Sequence, residues 1–377
     1  MEGCPSEHGF IVQKNKSVKR TLHILLLAML SCMSLLSCEK LIYEEGDNCE
    51  ESVMHVSLRV SAGGSTMSRA LTETEKDGAG YENFIDVHKL HILFFDTDNK
   101  FLQSFEPEQV SPTDNSEYPN TWELRGTIQN PPKTGFKIVA LANWPSDPQG
   151  LEVGVTTIEA ICTADWAMGN YKAPFTPSES SPIPMYGVKT IENKISFNSD
   201  IETNLGEINL LRAFAKITVC LSDGSSVELS SVTLSNYNKR FACAPLDPLG
   251  MYENTANSSL SNAAVHLAGS DNESAGKSLD FAPKADKKSW TIYIPEYLNA
   301  GPSGTARSDC SFIELKIKDS SVAYRIDFRD YYGQTDNGAF FNIVRNFEYY
   351  YEVKLTPILF SVSVKEWEFG GKVLIDM

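Results

Sequence analysis

The residues whose types could do metal or acid–base chemistry are few and poorly spaced for it. Asp96, Asp98 and Asn99 open a D-x-D-N run like the start of a calcium loop. The sixth position of such a loop would be Phe101 where glycine is required, and the twelfth Pro107 where a bidentate glutamate is required. The run therefore predicts a hairpin turn. His88 and His91 stand in a segment that reads as a strand, which sends them to opposite faces and prevents a shared metal. Asp327 with Asp330, and Glu366 with Glu368, are carboxylate pairs of the kind a glycosidase uses. In so acidic a chain they are read as solvated faces. No GxSxG, HExxH or P-loop spacing occurs. No catalytic residue, metal or cofactor is expected, and the chain is expected not to be an enzyme.

A cysteine near the N-terminus carries a clearer chemical signal. Lys14, Lys16, Lys19 and Arg20 precede an apolar run from Leu22 to Leu36. That run is short for a membrane span of ~20 residues but suits the core of a signal peptide. It ends in Leu35-Leu36-Ser37-Cys38, which is similar to a bacterial lipobox, with Leu36 bulkier than the usual residue there. Acyl chains on Cys38 would contribute about 0.8 kcal/mol of membrane affinity per buried methylene. Residues 1–37 are thus expected to be a signal peptide and 38–52 a lipidated acidic tether, making this a membrane-anchored, exported lipoprotein.

Acidic residues outnumber basic ones 49 to 33, a formal charge of −16. Loss of residues 1–37, with four basic and two acidic side chains, makes the mature chain −18. Phosphate backbones are held by Lys and Arg clusters, so a nucleic-acid partner is excluded. Cys49, Cys162, Cys220, Cys243 and Cys310 remain, odd in number and without CxxC spacing. This excludes a zinc ribbon or a dense disulfide framework. It leaves open a Cys220–Cys243 bridge or buried free thiols.

The elements that would position these residues are strands. Met54, Val56, Leu58 and Val60 alternate with His55, Ser57 and Arg59, which predicts a half-buried strand over 53–60. The same period recurs at Leu90–Phe94, Trp122–Ile128, Phe136–Ala142, Ile217–Leu221, Val232–Leu234, Trp290–Ile294, Ile313–Ile317, Val322–Phe328, Tyr349–Leu355 and Phe360–Val364. About a dozen strands separated by Gly, Pro, Asn and Ser loops predict an all-β chain of sandwich type. One helix is expected over Thr156–Met168 and a short turn at Pro295–Leu298. A boundary near 208 gives two domains, 53–207 and 208–377, each long enough for one sandwich. Ser61–Tyr81, with Arg69-Ala70, and Asn254–Ser278 read as long surface loops. Trp122, Trp144, Trp166 and Trp367, read as exposed, motivate an alternative function: a surface glycan-binding or glycan-degrading lipoprotein.

Taken in order, several segments resemble the FimA-type fimbrillins, the lipoprotein pilins of type V pili. They are the lipobox at Cys38, the first strand with its Arg69-Ala70 loop, IDVHKLHILFFDTDNKFL, KIVALAN (Lys137–Asn143) and PMYGVKTI (Pro184–Ile191). LLRAFAKITV (Leu210–Val219), WTIYIPEYL (Trp290–Leu298), IVRNFEYYYEV (Ile343–Val353) and the terminal SVSVKEWEF complete the series. The resemblance implies two transthyretin-like β-sandwich domains and a structural role in a fimbrium, assembled by protease-triggered strand exchange with other fimbrial subunits. It implies a cut between Arg69 and Ala70 that removes lipid and first strand together (Met54, Val56, Leu58, Val60). The implied donor is residues 358–377, with Phe360, Val362, Val364, Trp367 and Phe369. Stalk, tip and anchor roles all stay open, as does a host or bacterial surface ligand for a tip adhesin.

Overall fold

The computed structural model describes residues 53–62, 80–113, 120–132, 134–172, 174–192, 201–249, 278–285, 288–299, 310–329, 340, 342–355 and 360–366. The Arg69-Ala70 loop, the 254–277 loop, Cys38, Cys49, Asp330, Trp367, Glu368 and Phe369 lie outside these residues.

The period-2 segments fold as strands. β1 (Val53–Ala62), β2 (Leu90–Phe95), β3 (Phe101–Phe105), β4 (Gln109–Pro112), β5 (Thr121–Gln129) and β6 (Phe136–Ala142) are followed by the short β7 (Met168–Asn170), then β8 (Met185–Ile191) and β9 (Thr203–Arg212). All of these except β7 form one eight-stranded sheet, in the order β3-β2-β6-β8-β9-β1-β5-β4. Later strands build two further sheets. β10 (Phe214–Leu221), β11 (Leu229–Ser235) and β12 (Arg240–Ala242) precede β13 (Ser278–Asp280), β14 (Ala282–Pro283) and β15 (Ser289–Pro295). β16 (Phe312–Ile317), β17 (Ala323–Asp327), β18 (Glu348–Leu355) and β19 (Phe360–Glu366) complete the chain. Their orders are β14-β15-β10-β18-β19 and β13-β11-β16-β17, while β7 pairs with β12 as a ribbon. Phe328, just past β17, meets Tyr349 and Tyr351 of β18 edge to face at 5.5 and 5.9 Å, so these two sheets touch through aromatic rings. Apolar side chains from all three sheets join one continuous buried core.

Several expectations are corrected. The helix is α1, Ile158–Thr163, with Thr157 as N-cap accepting from the Ala160 amide, and only a 3-10 turn at Asp165–Ala167 follows. Ala164, extended at ψ 150, ends it. Pro295–Leu298 is extended, not a turn, because Tyr297 exchanges two backbone hydrogen bonds with Ile343. His88 lies in a 3-10 turn, Val87–Lys89, ahead of β2 rather than in the strand, capped by the Asp86 side chain. β1 is more than half-buried, since Ser57 and Ser61 on its second face are 5% and 2% exposed. Asp327 is not on a solvated face: it is fully buried against Arg325 Nε at 2.6 Å. The hairpin at Asp96–Asn99 forms as expected, with Asp96 Oδ1 accepting from the amides of Asp98 and Lys100 and Asn99 at φ 65. The chain changes sheets at Ala213, and Ile208 sits inside β9.

Candidate assembly site around the first strand

The eight-stranded sheet is built around β1. It runs antiparallel to β5 from Val53↔Gln129 to Ser61↔Thr121 and parallel to β9 from Val56↔Thr203 to Ala62↔Leu210. Met54, Val56, Leu58 and Val60 face the core, none more than 1% exposed. Burial of each contributes about 1.5–3 kcal/mol. Val56 stands opposite Gly126, where a Cβ would meet Phe105 and the Glu108 amide at 3.1 Å. A side chain there would press on Phe105 and on the Glu108 backbone, which glycine leaves undisturbed.

The second face of β1 is shaped as closely. Ser61 Oγ and Thr121 Oγ1 are 3.0 Å apart, and the Ala62 amide donates to Asn120 O at 2.8 Å. Arg59 is exposed, 3.9 Å from Glu123 of β5 and in register with Glu207 of β9. Between Ser57 and Arg59 the parallel pairing shifts, and β9 absorbs the shift at Gly206, φ 83, whose amide donates to Asn204 Oδ1 at 2.7 Å. An open cavity of about 390 Å³ lies over this face, lined by His55, Glu108, Gln109, Arg125, Gly126 and Glu202.

Downstream of the Arg69-Ala70 loop, a 3-10 turn at Gly80–Asn83 pins the chain to the five-stranded sheet. Glu82 Oε1 accepts from Lys216 Nζ at 3.0 Å and from the Tyr293 hydroxyl. Arg212 Nε donates to Glu82 O at 3.1 Å, and its other nitrogens reach Asn83 Oδ1 and Asn346 Oδ1. Asn143 holds the same segment from the other side, donating to Phe84 O and accepting from the Asp86 amide, both at 2.8 Å. Deeper still, Arg345 and Glu296 form a fully buried pair at 2.7 Å, with Arg345 also donating to the carbonyls of Ala242, Cys243 and Ala244. Neither cluster was legible in the sequence, since a buried ion pair has no period; an arginine inside the apolar runs LLRAF and IVRNF was the available signal.

At the other end, β19 pairs antiparallel with β18 from Tyr349↔Glu366 to Leu355↔Phe360 and forms an edge of its sheet. This places Phe360, Val362 and Val364 on a strand, while Trp367 and Phe369 lie outside the described residues. Two further expectations change. Trp144 is 2% exposed, donates from Nε1 to Met185 O at 2.7 Å and packs on the half-buried Trp166, while Trp122 is also half-buried. An exposed sugar platform is therefore not formed by Trp122, Trp144 and Trp166. Cys162, Cys220, Cys243 and Cys310 are free thiols, so Cys220 and Cys243 do not bridge. Burial pushes the Cys162 and Cys243 thiols far up, partly offset by Arg345.

A family model described as fimbrillin-A associated anchor proteins Mfa1 and Mfa2 matches residues 49–369, from the tether through β19. The chain belongs to this fimbrillin-associated anchor family. The tip fimbrial protein Mfa3 from Porphyromonas gingivalis shares its fold at a TM-score of 0.54 and 14% identity, over 84% of this chain and 100% of that one. A fimbrial assembly protein from Parabacteroides distasonis (TM-score 0.48, 13% identity, 86% and 100% coverage) and the fimbrial anchor protein Mfa2 from Porphyromonas gingivalis (0.35, 12%, 85% and 99%) also match. No protein of curated function matches. Family membership makes the chain a structural component of a cell-surface fimbrium that works among other fimbrial subunits.

Proposed function

We propose that this fimbrial subunit is exported as an outer membrane lipoprotein acylated at Cys38, and that a cut between Arg69 and Ala70 releases lipid, tether and β1 together. The observation that supports this reading is the seat of β1. It is the first strand of the described chain, yet it fills the slot between β5 and β9 with core side chains and backbone pairs on both edges. One cut in residues 63–79 would free it. What remains would be an apolar groove with two unpaired strand edges, a template for an extended segment from another subunit. The segment after the loop would stay behind, because Glu82, Asn83 and Phe84 are held by Lys216, Arg212 and Asn143.

In the same reading, residues 358–377, carrying Phe360, Val362, Val364, Trp367 and Phe369, are the donor to a neighbouring subunit. β19 lies at a sheet edge, so it can leave without dividing its sheet. The role is structural, without catalysis, and a tip position would add a host or bacterial surface ligand. A second reading, an uncut anchor that keeps both lipid and β1, is favoured by the family's own description. Mass spectrometry of the protein purified from fimbriae separates the two. Cutting gives a mature N-terminus at Ala70, abolished by Arg69→Ala. An acylated Cys38 N-terminus in every assembled copy contradicts cutting and leaves the anchor.

A further inference from the structure

We propose that the seat of β1 selects a strand from a different fimbrial subunit and rejects the C-terminal segment of a second copy of this chain. This rests on the strand-exchange reading above and specifies its partner. The seat has a defined shape. Five alternate positions, those of Met54, Val56, Leu58, Val60 and Ala62, are no more than 1% exposed and take apolar side chains. On the other face, the positions of Ser57 and Ser61 are buried and hold small residues. Position 59 lies in register with Glu123 and Glu207 and suits a cation. At the closing end Ser61 and Ala62 are both enclosed, and Ala62 pairs with Leu210.

The chain's own C-terminal sequence fails this end in every register that supplies apolar side chains. With Ile358 in the seat of Met54 and the strand running as β1 does, Lys365 falls at Ser61 and Glu366 at Ala62. A shift by two residues relieves those clashes but puts Leu359 in the seat of Ser57 and Val364 in that of Ala62. Reversed, with Val364 at Met54, the segment places Pro357 at Ser61, which pairs with both Thr121 and Asn209. Proline cannot donate there in a central strand. The last stretch, with Trp367 at Met54, brings Leu374 to Ser61 and Ile375 to Ala62. Burying a charge or overfilling a closed site is destabilising in each case. The fitting partner is an extended segment with five alternating apolar residues, a cation at the position of Arg59, and small residues at the positions of Ser57, Ser61 and Ala62.

The test uses the mature chain with a unique protease site introduced within residues 63–79, cut in solution. Labelled peptides are offered just below the urea midpoint: residues 53–62, the same with Ala62→Leu, the same with Arg59→Glu, and residues 356–375. The 53–62 peptide should enter; Ala62→Leu should enter at least about tenfold less well, and Arg59→Glu about threefold less well. The 356–375 peptide should stay at background. Entry of 356–375 as readily as 53–62, or of Ala62→Leu without loss, overturns the selectivity and leaves strand exchange standing. Failure of the 53–62 peptide itself to enter the cut protein overturns strand exchange, and the selectivity with it.

Discussion

Arg345 shows how much of this molecule rests on single buried polar residues. Its guanidinium is fully enclosed, donating to Glu296 and to three consecutive carbonyls from Ala242, the last residue of β12, to Ala244, and it ties the approach to β18 to the β7–β12 ribbon. Removing one partner of such a pair leaves a charge uncompensated in a low dielectric, whereas a surface pair such as Lys318–Glu228 could be lost at little cost. Glu296→Gln should therefore destabilise the fold by about 3 kcal/mol, read as a lower urea midpoint at unchanged slope. A shift no larger than that of Glu228→Gln would contradict the assignment. In the sequence Arg345 stands out only as part of the IVRNFEYYYEV segment. Its burial follows from a tertiary cage whose members, Ala242 to Ala244 and Glu296, lie far away in the chain.

Strands were legible wherever one face is apolar and the other wet. β5, β15 and β18 follow their period-2 patterns, and the Asp96–Asn99 turn could be inferred from its side chains. β3, Phe101–Phe105, carries Leu, Gln and Ser between its phenylalanines and gives little alternation. β9 and β10 read as one apolar run because no Gly or Pro marks Ala213, where the chain leaves one sheet for another. β1 is the strand that the proposed cut would release. Leu58→Ala, at a fully buried site opposite Leu124, should cost about 2–5 kcal/mol and loosen β1 in particular. Hydrogen exchange should then show faster exchange at residues 54–62 than in β6. Uniform loss of protection across the eight-stranded sheet would mean that β1 does not open separately.

At the scale of the whole molecule, the three sheets share one core, and that core holds several neutral acids. Burial holds the thiols of Cys162 and Cys243, and the phenols of Tyr171, Tyr293 and Tyr297, well above their ordinary values of 9.0 and 10.0. Folded protein keeps these protons at a pH where the unfolded chain releases them. The unfolded state then binds fewer protons, so stability falls as pH rises. The melting temperature should therefore be insensitive to these groups below the thiol value of 9.0 and decline above it. A melting temperature constant to about pH 11 would contradict their burial.

The acidic net charge, −16 for the full chain and −18 without residues 1–37, suits a solvated filament at the cell surface. The most direct test of the account is a cryo-electron microscopy map of native fimbriae containing this subunit, read at the slot between β5 and β9. An extended segment of another subunit should occupy that slot, with this chain starting at Ala70. Residues 53–62 of the same chain seated there in every copy would contradict it.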